Sequence, residues 1–547
     1  MTRRLRILSQ TVFFLLFLVL LARTQYSGSD EIALPVKVLL EIDPLHFLTT
    51  LLATGRIAGL LWLALIVIAL TFVLGRFFCG WVCPLGVLIQ LFQKLPLRKR
   101  PDVIATNRWQ PSQRIKYYLL GGLLFAALFG LQWSGIFDPL SIFVRSVGLV
   151  VLPAIEQALR GVFDALYRFN PLGLGKISEP VFVWLQGRAL SFSQPHFHQS
   201  FLIGLFLLAI LVLGFVRHRF WCRTLCPLGA LLGAVARVGL FRVRQADECR
   251  GCQRCTFSCQ GAAEPEVPRG WRPSECLVCG NCTAACKDGG LSLGFGRPRL
   301  PRLAVRRRGE SGSAAGERPV FTGIQLHRRH FLLAGCAGVA AVPLMRLSQS
   351  GARANPALIR PPGSLPEGEF LERCVRCGEC MKVCLTNGLQ PTFLEAGLEG
   401  MWTPRLVPRV GYCEYNCTLC GQVCPTQAIR RLTPADKKKV RIGLAAIDPS
   451  RCLPYASQTN CIVCEEHCPL PRKAIWFQEV DVVTHGGERR RVKQPHVDLE
   501  LCTGCGICEA KCVIQDLPAI RVTSANEDRN PGNRVLLEGA GGFASPY

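Results

Sequence analysis

The sequence predicts a mixed membrane protein, in which a four-helix transmembrane domain and a fifth export or anchor helix carry two cysteine-rich α+β modules. Hydrophobic residues make up 49% of the 547 residues, and several apolar runs approach the length of a membrane span. The chain also holds 29 cysteines, most of them in compact groups of four. Finally, RFFCGWVCPLG at residues 76–86 returns as RFWCRTLCPLG at residues 219–229, each time directly after an apolar run.

The apolar runs predict four spanning helices within a first domain, residues 1–240. They lie near residues 7–22, 57–75, 117–136 and 200–216, and each approaches the roughly 20 residues that cross a bilayer core of about 30 Å. The loop 76–116 carries eight Lys or Arg, whereas residues 24–55 carry only Lys37. Because cytoplasmic loops are enriched in basic residues, this loop and the N-terminus are predicted inside. The net charge of +26 therefore reflects membrane topology and does not indicate nucleic-acid binding.

The predicted membrane domain looks duplicated. DPLHFLTT from Asp43 and DPLSIFVR from Asp138 each follow an odd-numbered helix, and each half then continues with a helix and a CxxxCPLG motif. The second half has an insertion at residues 149–199, for which the sequence predicts no structure.

Twenty-four cysteines form six quartets whose spacing predicts iron–sulfur clusters. In CxxCxxCxxxC, three close cysteines hold one face of a [4Fe-4S] cube and the fourth reaches a neighbouring cluster. Zinc ribbons usually place two CxxC pairs far apart, and disulfides do not persist on the reducing side of a membrane, so zinc and disulfides are the weaker alternatives. The quartets are Cys249, Cys252, Cys255 and Cys259; Cys276, Cys279, Cys282 and Cys286; Cys374, Cys377, Cys380 and Cys384; Cys413, Cys417, Cys420 and Cys424; Cys452, Cys461, Cys464 and Cys468; Cys502, Cys505, Cys508 and Cys512.

The first two quartets predict a cytoplasmic, ferredoxin-like α+β module with two clusters at residues 241–290. Exchange of the fourth cysteine between neighbouring quartets assigns Cys249, Cys252, Cys255 and Cys286 to one cluster and Cys276, Cys279, Cys282 and Cys259 to the other. The following residues, 291–326, are rich in Arg, Gly, Ser and Pro and are predicted to be a disordered linker.

Residues 327–354 contain an Arg pair, a modestly apolar segment and the small-residue stretch ARANP. This pattern is typical of a twin-arginine export signal, here in mid-chain, and a plain fifth membrane helix is the alternative. Cleavage after Ala354 distinguishes the two, and a lipoprotein box ending at Cys336 is a weaker third possibility. Either of the first two places residues 355–547 across the membrane as a second ferredoxin-like module with four clusters.

These motifs resemble two known families. Paired CxxxCP motifs followed by two quartets make the first 290 residues similar to NapH, and the Arg pair followed by four quartets makes the chain from about residue 327 similar to NapG. The resemblance implies a fusion of the membrane and exported iron–sulfur components of quinol-dehydrogenase systems in periplasmic nitrate respiration, located in the bacterial inner membrane. Related CxxxCP families serve nitrous oxide reduction and oxidase assembly, so nitrate itself does not follow.

A resemblance to multi-cluster subunits of molybdenum oxidoreductases implies the pairing of the last four quartets. It pairs the first of them with the fourth and the second with the third. The implied sites are Cys374, Cys377, Cys380 with Cys512; Cys502, Cys505, Cys508 with Cys384; Cys413, Cys417, Cys420 with Cys468; and Cys452, Cys461, Cys464 with Cys424.

The repeated motif predicts a further site between the two halves. If the halves pack around a pseudo-twofold axis, Cys79, Cys83, Cys222 and Cys226 meet at the cytoplasmic interface, where Pro84 and Pro227 turn the chain out of its helix. We interpret this tetrathiol site as a candidate redox centre, either a cluster or a reversible disulfide pair. The alternative is that each cysteine pair packs only locally.

Together these patterns predict a relay of electrons between the quinone pool and a periplasmic cytochrome or reductase through six [4Fe-4S] clusters, in either direction. Whether the chain is an enzyme in its own right stays open, and a redox maturation factor for a respiratory enzyme is the rival function. On the predicted outer side, His46, His196 and His198 could bind haem or accept a quinol proton, although surface histidines are commoner. Asp43 and Asp138 could accept protons, although Asp before Pro more often caps a helix.

Overall fold

A computed structural model defines two compact units, which are described separately. The first comprises residues 1–20, 38–143 and 204–342, and the second comprises residues 21–37, 144–203 and 343–547. The structure describes residues 2–26, 28–32, 34–95, 103–169, 179–183, 195–245, 252–265, 271–286, 290–297, 326–347, 355–483, 487 and 489–535.

The first unit is mainly helical. Its α-helices are Thr2–Arg23, Lys37–Glu41, Pro44–Thr54, Ala64–Leu74, Pro84–Phe92, Val103–Asn107, Ile115–Leu128, Ser134–Phe137, Pro139–Ser146, Ser200–Val216, Phe220–Thr224, Pro227–Val238, Arg254–Phe257, Asn281–Ala285 and Arg328–Leu347. The first helix and the helices Pro139–Ser146, Ser200–Val216 and Arg328–Leu347 each cross a boundary between the units. Two 3₁₀ turns, Leu61–Leu63 and Pro111–Arg114, and one π-helical turn, Phe78–Val82, complete it.

The predicted spans differ in length from the helices that form. Among the described residues, two helices are long and apolar enough to cross a membrane, Arg3–Arg23 and Pro139–Phe169, which is consistent with membrane association. The other three predicted runs form the shorter helices Leu61–Leu74, Ile115–Leu128 and Ser200–Val216. The long second candidate enters the insertion for which the sequence predicted no structure, so the four-helix domain stays a prediction.

Both DPL segments begin helices. Asp43 accepts a hydrogen bond from the backbone N–H of Leu45 at 2.7 Å, and Asp138 accepts one from Leu140 at 2.9 Å. Each aspartate therefore caps a helix that starts with proline, as the commoner interpretation of Asp before Pro predicted.

Residues 241–297 belong to the first unit. Phe241–Gln245 and Leu291–Phe295 pair as antiparallel strands in the register Phe241↔Phe295. Their apolar face packs with Trp271 and Val278 in a small core. The second strand lies inside the predicted linker, which therefore starts later than expected; residues 298–325 of that linker lie outside the described residues.

The helix Arg328–Leu347 packs closely on Ile115–Leu128. A Cβ atom added to Gly338 would lie 2.3 Å from the backbone oxygen of Gly122, and one added to Gly121 would lie 3.0 Å from the ring of Phe331. Small residues at such positions let two helix backbones approach, as in many membrane helix pairs. Up to Val342, this helix therefore packs as part of the first unit, and its role as an export signal stays a prediction.

The second unit has short elements around the last four quartets. Its helices are the π-helical turn Val147–Val151, Leu152–Phe169, Glu367–Arg373, Glu379–Lys382, Leu419–Gln422, Pro434–Lys439, Leu453–Ala456, Val463–Glu466 and Ile507–Lys511, with the 3₁₀ turn Pro531–Asn533. Its strands pair antiparallel, Leu389–Pro391 with Pro404–Leu406, Leu444–Ile447 with Ile520–Thr523, and Ile475–Val483 with Arg489–Val497.

Candidate functional site

Three cavities in the second unit are each lined by four cysteines. Each takes three cysteines from one quartet and the last cysteine from a neighbouring quartet. Their lining is otherwise largely apolar. The three sets are Cys413, Cys417, Cys420 with Cys384; Cys502, Cys505, Cys508 with Cys468; and Cys374, Cys377, Cys380 with Cys424.

A fourth set follows the same rule. Cys452 interacts electrostatically with Cys461 and Cys512, and Cys464 interacts with Cys452 and Cys461. The fourth member of this set is therefore Cys512.

The implied pairing of the last four quartets was wrong. The quartet from Cys374 exchanges its last cysteine with the quartet from Cys413, and the quartet from Cys452 exchanges with the one from Cys502. The physical reason lies in the connection between the first two quartets, because its antiparallel strand pair, Leu389–Pro391 with Pro404–Leu406, turns the chain back towards its starting point. The strand pair Leu444–Ile447 and Ile520–Thr523 brackets the other two.

The four cysteine sets lie in a row. Cys380 interacts with Cys420, the backbone N–H of Cys413 donates to the carbonyl of Cys505 at 2.8 Å, and Cys508 interacts with Cys464. Starting from Cys374, the order along the row is therefore the set of Cys374, that of Cys413, that of Cys502 and that of Cys452.

The donor chemistry of these sets fits iron–sulfur clusters. Burial raises the pKa of Cys417, Cys464 and Cys505 to about 12 in each case. The metal-free thiols are therefore protonated at neutral pH, and a metal must displace their protons to bind. Four soft sulfur ligands around one largely apolar cavity suit the iron of a [4Fe-4S] cube better than a hard cation.

In the first unit the structure brings one of the two predicted sets together. Cys282 interacts with Cys276, Cys279 and Cys259, which matches the exchange predicted for this quartet. Of the other predicted set, Cys252 is exposed and Cys255 is buried. Cys286 is partly buried, and Cys249 lies outside the described residues.

The four cysteines of the repeated motif also meet. Cys83 interacts electrostatically with Cys222 and Cys79, and Cys226 interacts with Cys222, Cys79 and Cys83. Pro84 and Pro227 each start a new helix whose N-cap is the second cysteine of the motif. The sulfur of Cys226 also accepts the backbone N–H of Gly229 at 3.2 Å. Each Cys-Pro step therefore ends one helix and fixes a thiol at the start of the next.

Two buried arginines flank this tetrathiol site in reciprocal positions. A Cβ atom on Gly229 would lie 2.8 Å from Nη2 of Arg76, and one on Gly86 would lie 3.5 Å from Nη1 of Arg219. Arg219 Nη1 donates to the carbonyl of Cys79 at 3.0 Å. Each arginine is the first residue of one copy of the motif, and its guanidinium group lies next to the other copy. Sequence reasoning assigned them no role, although their repetition was a visible signal.

A buried ion-pair network connects this site with the quartet from Cys276. Glu275 lies 2.5 Å from Lys116 Nζ and 3.7 Å from Arg76 Nη1, and Arg76 Nη1 donates to the carbonyl of Ser274 at 2.8 Å. All three charged side chains are at most 3% exposed. This pairing was not predictable from sequence patterns, because its partners are far apart along the chain.

Backbone contact also joins the tetrathiol site to that quartet. Trp81 Nε1 donates to the carbonyl of Val278 at 3.0 Å. A Cβ atom on Gly80 would lie 2.1 Å from the carbonyl oxygen of Leu277, so only glycine fits this approach. The π-helical turn between Cys79 and Cys83 therefore lies directly against the segment between Cys276 and Cys279.

The three histidines divide into two kinds. His196 and His198 are exposed, and their backbone groups form the hydrogen bonds. The His196 carbonyl accepts from Asn387 at 2.6 Å, and the His198 N–H donates to Gln390 at 3.1 Å. His46, in contrast, is 0% exposed, so it is not a surface histidine.

Comparison with known proteins places the chain among iron–sulfur proteins. A family model described as "4Fe-4S binding domain" matches twice, at residues 56–101 and 199–245, and each match contains one CxxxCPLG motif. The methylamine utilization ferredoxin-type protein MauM of Methylorubrum extorquens is 36% identical over 212 residues, which are 37% of this chain and 91% of that protein. The ferredoxin-type protein NapG of Escherichia coli is 38% identical over 202 residues, 36% of this chain and 84% of that protein.

The class defined by the cysteine sets is that of ferredoxin-type electron-transfer proteins with 4Fe-4S binding domains. Through about a third of its length, the chain belongs to the NapG and MauM family of ferredoxin-type proteins. MauM of Paracoccus denitrificans is a further relative, 35% identical over 34% of this chain and 81% of that protein. No solved structure matches the chain.

Proposed function

We propose that this protein is a membrane-bound relay that carries electrons between the quinone pool and a periplasmic cytochrome or reductase, as a quinol-dehydrogenase component. One observation carries the proposal. The four thiols of the duplicated motif assemble next to the quartet from Cys276, in the same unit as the apolar helices. A redox site at the end of membrane helices, in contact with a cluster site, is what a quinone-linked relay needs.

The ligands of the proposed clusters are the four sets of the second unit and the two sets of residues 249–286. The tetrathiol site is proposed to hold an additional centre, and the two matches to a 4Fe-4S binding domain at residues 56–101 and 199–245 support a cluster there. A bound [4Fe-4S] cluster supplies one-electron chemistry, whereas quinol oxidation releases two electrons and two protons. The side chains of the protein bind the iron, exclude water and, through Arg76 and Arg219, favour a negatively charged centre.

Contacts inside each unit support a two-sided arrangement. In the second unit, Thr418 binds Asp30 at 2.6 Å and Lys382 binds the carbonyl of Thr24 at 2.8 Å; both partners belong to the predicted outer loop 24–55. In the first unit, Asn107 of the predicted inner loop donates to the carbonyl of Phe257 at 2.9 Å. Each module therefore packs with loops predicted on its own side.

The family names leave the acceptor open. One relative is named for methylamine utilization and another is named NapG, so the family alone does not select nitrate respiration. The proposal is accordingly limited to the class of reaction, which is electron exchange with a quinone.

Reduction of the purified protein by a quinol analogue tests the proposal. EPR spectra recorded after anaerobic addition of a menaquinol analogue should show reduced [4Fe-4S] signals within the time of enzyme turnover. Dithionite, which reduces clusters without a quinone site, is the control for intact clusters. Signals that appear with dithionite but never with quinol would overturn the quinone-linked relay.

A further inference from the structure

Asp43, His46 and Asp138 form an enclosed polar group in the first unit. Their exposed fractions are 1%, 0% and 0%, and one ligand atom from each residue lies within 4.8 Å of the other two. His46 Nδ1 is 3.9 Å from Asp43 Oδ2, and His46 Nε2 is 3.6 Å from Asp138 Oδ2. The group therefore contains two carboxylates and an imidazole without access to water.

Each carboxylate is oriented by the helix that it caps. Asp43 Oδ1 accepts from Leu45 N at 2.7 Å, while Asp138 Oδ2 accepts from Leu140 N at 2.9 Å and Ser141 N at 2.8 Å. The two buried carboxyl groups also form a hydrogen bond with each other. Each aspartate thus holds one oxygen in place at a helix N-terminus, and the pair must share a proton or a cation.

The imidazole of His46 is also held by its neighbours. Its Nε2 is 3.1 Å from Ser141 Oγ, and the ring forms a further hydrogen bond with the backbone of Leu40. A neutral imidazole that is protonated on one nitrogen keeps a lone pair on the other. Histidines that bind metals usually have such a partner on the second nitrogen, which fixes their tautomer and orientation.

The charges in this group also need compensation. Among the residues that the structure describes, His46 is the one basic group paired with either carboxylate. Two carboxylates buried next to each other are strongly unfavourable unless a proton or a cation neutralises them. A divalent ion provides two positive charges and one common partner for the two carboxylates and the imidazole.

We propose that Asp43, His46 and Asp138 bind a first-row divalent metal ion, each through one ligand atom. Two oxygens and one imidazole nitrogen suit ions such as Mn²⁺, Fe²⁺ or Zn²⁺ better than Mg²⁺ or Ca²⁺, which prefer oxygen alone. This ion is separate from the cysteine sites and requires neither a quinone nor electron transfer.

The internal repeat explains why the site lies where it does. Asp43 and Asp138 occupy the same position in the two DPL segments, and His46 occupies the position of Ser141. The duplicated halves thus bring their two DPL segments together, and the single His/Ser difference supplies one nitrogen ligand. A bound ion would join the two halves at their DPL segments. In each half the DPL segment precedes the apolar run, and the CxxxCPLG motif follows that run.

Manganese binding to the purified full-length protein tests this site. After treatment with EDTA, the protein is titrated with Mn²⁺, and the EPR signal of free aqueous Mn²⁺ reports the bound fraction. The wild type should bind one Mn²⁺ tightly. Asp43→Asn and Asp138→Asn should weaken binding by at least tenfold, and both keep the helix caps because asparagine caps as well as aspartate does.

Matched substitutions separate this site from adventitious binding. Asp30→Asn and His196→Gln change the same residue types in the second unit and should leave the Mn²⁺ affinity unchanged. Ser141→Ala keeps all three ligands but should weaken binding by about 10- to 100-fold, the usual effect of removing the partner of a ligating histidine.

Two results would overturn the metal site. One is a wild type that binds no Mn²⁺, in which case the carboxyl groups share a proton instead. The other is equal affinity in the wild type and in Asp43→Asn, Asp138→Asn and Ser141→Ala. Because the titration uses no electron donor, either outcome leaves the quinone-linked relay to its own experiment.

Discussion

Glu275 is the acidic centre of a buried cationic cluster, and its charge is needed to compensate Lys116 and Arg76. Replacing it by Gln removes the only negative partner that the described residues show for that lysine. Breaking a buried ion pair on one side typically costs about 3–5 kcal/mol. Glu275→Gln should therefore lower the free energy of unfolding by about that much, measured by thermal or chemical unfolding in detergent.

An exposed pair provides the comparison for this variant. Arg491 lies 3.6 Å from Glu479, with exposed fractions of 68% and 51%, and exposed pairs contribute about 0–1 kcal/mol. Arg491→Gln should therefore be nearly neutral. Equal losses in the two variants would show that the Glu275 network does not stabilise the fold.

Glu367 makes the stability of the second unit depend on pH. Burial alone would raise its pKa, but the guanidinium groups of Arg360 and Arg529 lower the pKa from 4.5 to about 2. Because the folded pKa is depressed, the stabilisation is complete above pH 4.5 and is lost as the pH falls towards 2. The shift corresponds to about 3 kcal/mol.

Glu367→Gln should thus be less stable than the wild type at pH 7, and the difference should shrink at pH 4. Unfolding of both proteins at the two pH values measures it. A difference that does not change with pH would contradict the assignment to this carboxylate.

At the scale of elements, the packing of Arg328–Leu347 predicts that this helix is retained. Gly338 touches the backbone of Gly122, so a larger side chain forces the helices apart. Overpacking of this kind costs about 1–3 kcal/mol. Gly338→Val should destabilise the protein, whereas Gly161→Ala, with nothing within 4 Å of the added atom, should not.

The same packing predicts that the mature protein is a single chain. Tags at both termini should appear on one band of 60.4 kDa, without cleavage after Ala354. Two fragments that separate on purification would show that the segment acts as a removable export signal.

Some features of the sites were predictable from the sequence and others were not. Repetition of the motif predicted that Cys79, Cys83, Cys222 and Cys226 meet, because equivalent positions in duplicated halves are related by symmetry. The pairing of the last four quartets was not predictable, since each quartet can donate its last cysteine to any neighbour and only the connecting loops decide. The burial of His46 also escaped prediction, because a single histidine beside a helix cap gives no signal of what packs over it.

At the scale of the whole molecule, we expect the linker near Gly316 and the C-terminal module to lie in different compartments. The linker and the quartets from Cys249 and Cys276 belong inside, and the last four quartets belong outside. Reporter fusions near Gly316 and at Tyr547 should therefore report opposite compartments. Matching reports would remove the mid-chain crossing and with it the two-sided relay.

The central claim of the proposed function is that electrons pass between the quinone and the remaining clusters through the tetrathiol site. Cys83→Ala combined with Cys226→Ala removes two buried thiols but none of the ligands of the six ferredoxin-type clusters. The variant should retain about 24 Fe, four per cluster. Its dithionite-reduced EPR spectrum should show the same ferredoxin-type signals as the wild type.

Quinol-dependent reduction of this double variant, followed by EPR, is the most direct measurement. We expect reduction by the quinol analogue to fail in the variant while it proceeds in the wild type. Reduction at the wild-type rate would show that the repeated cysteines are structural and that electrons do not pass through their site.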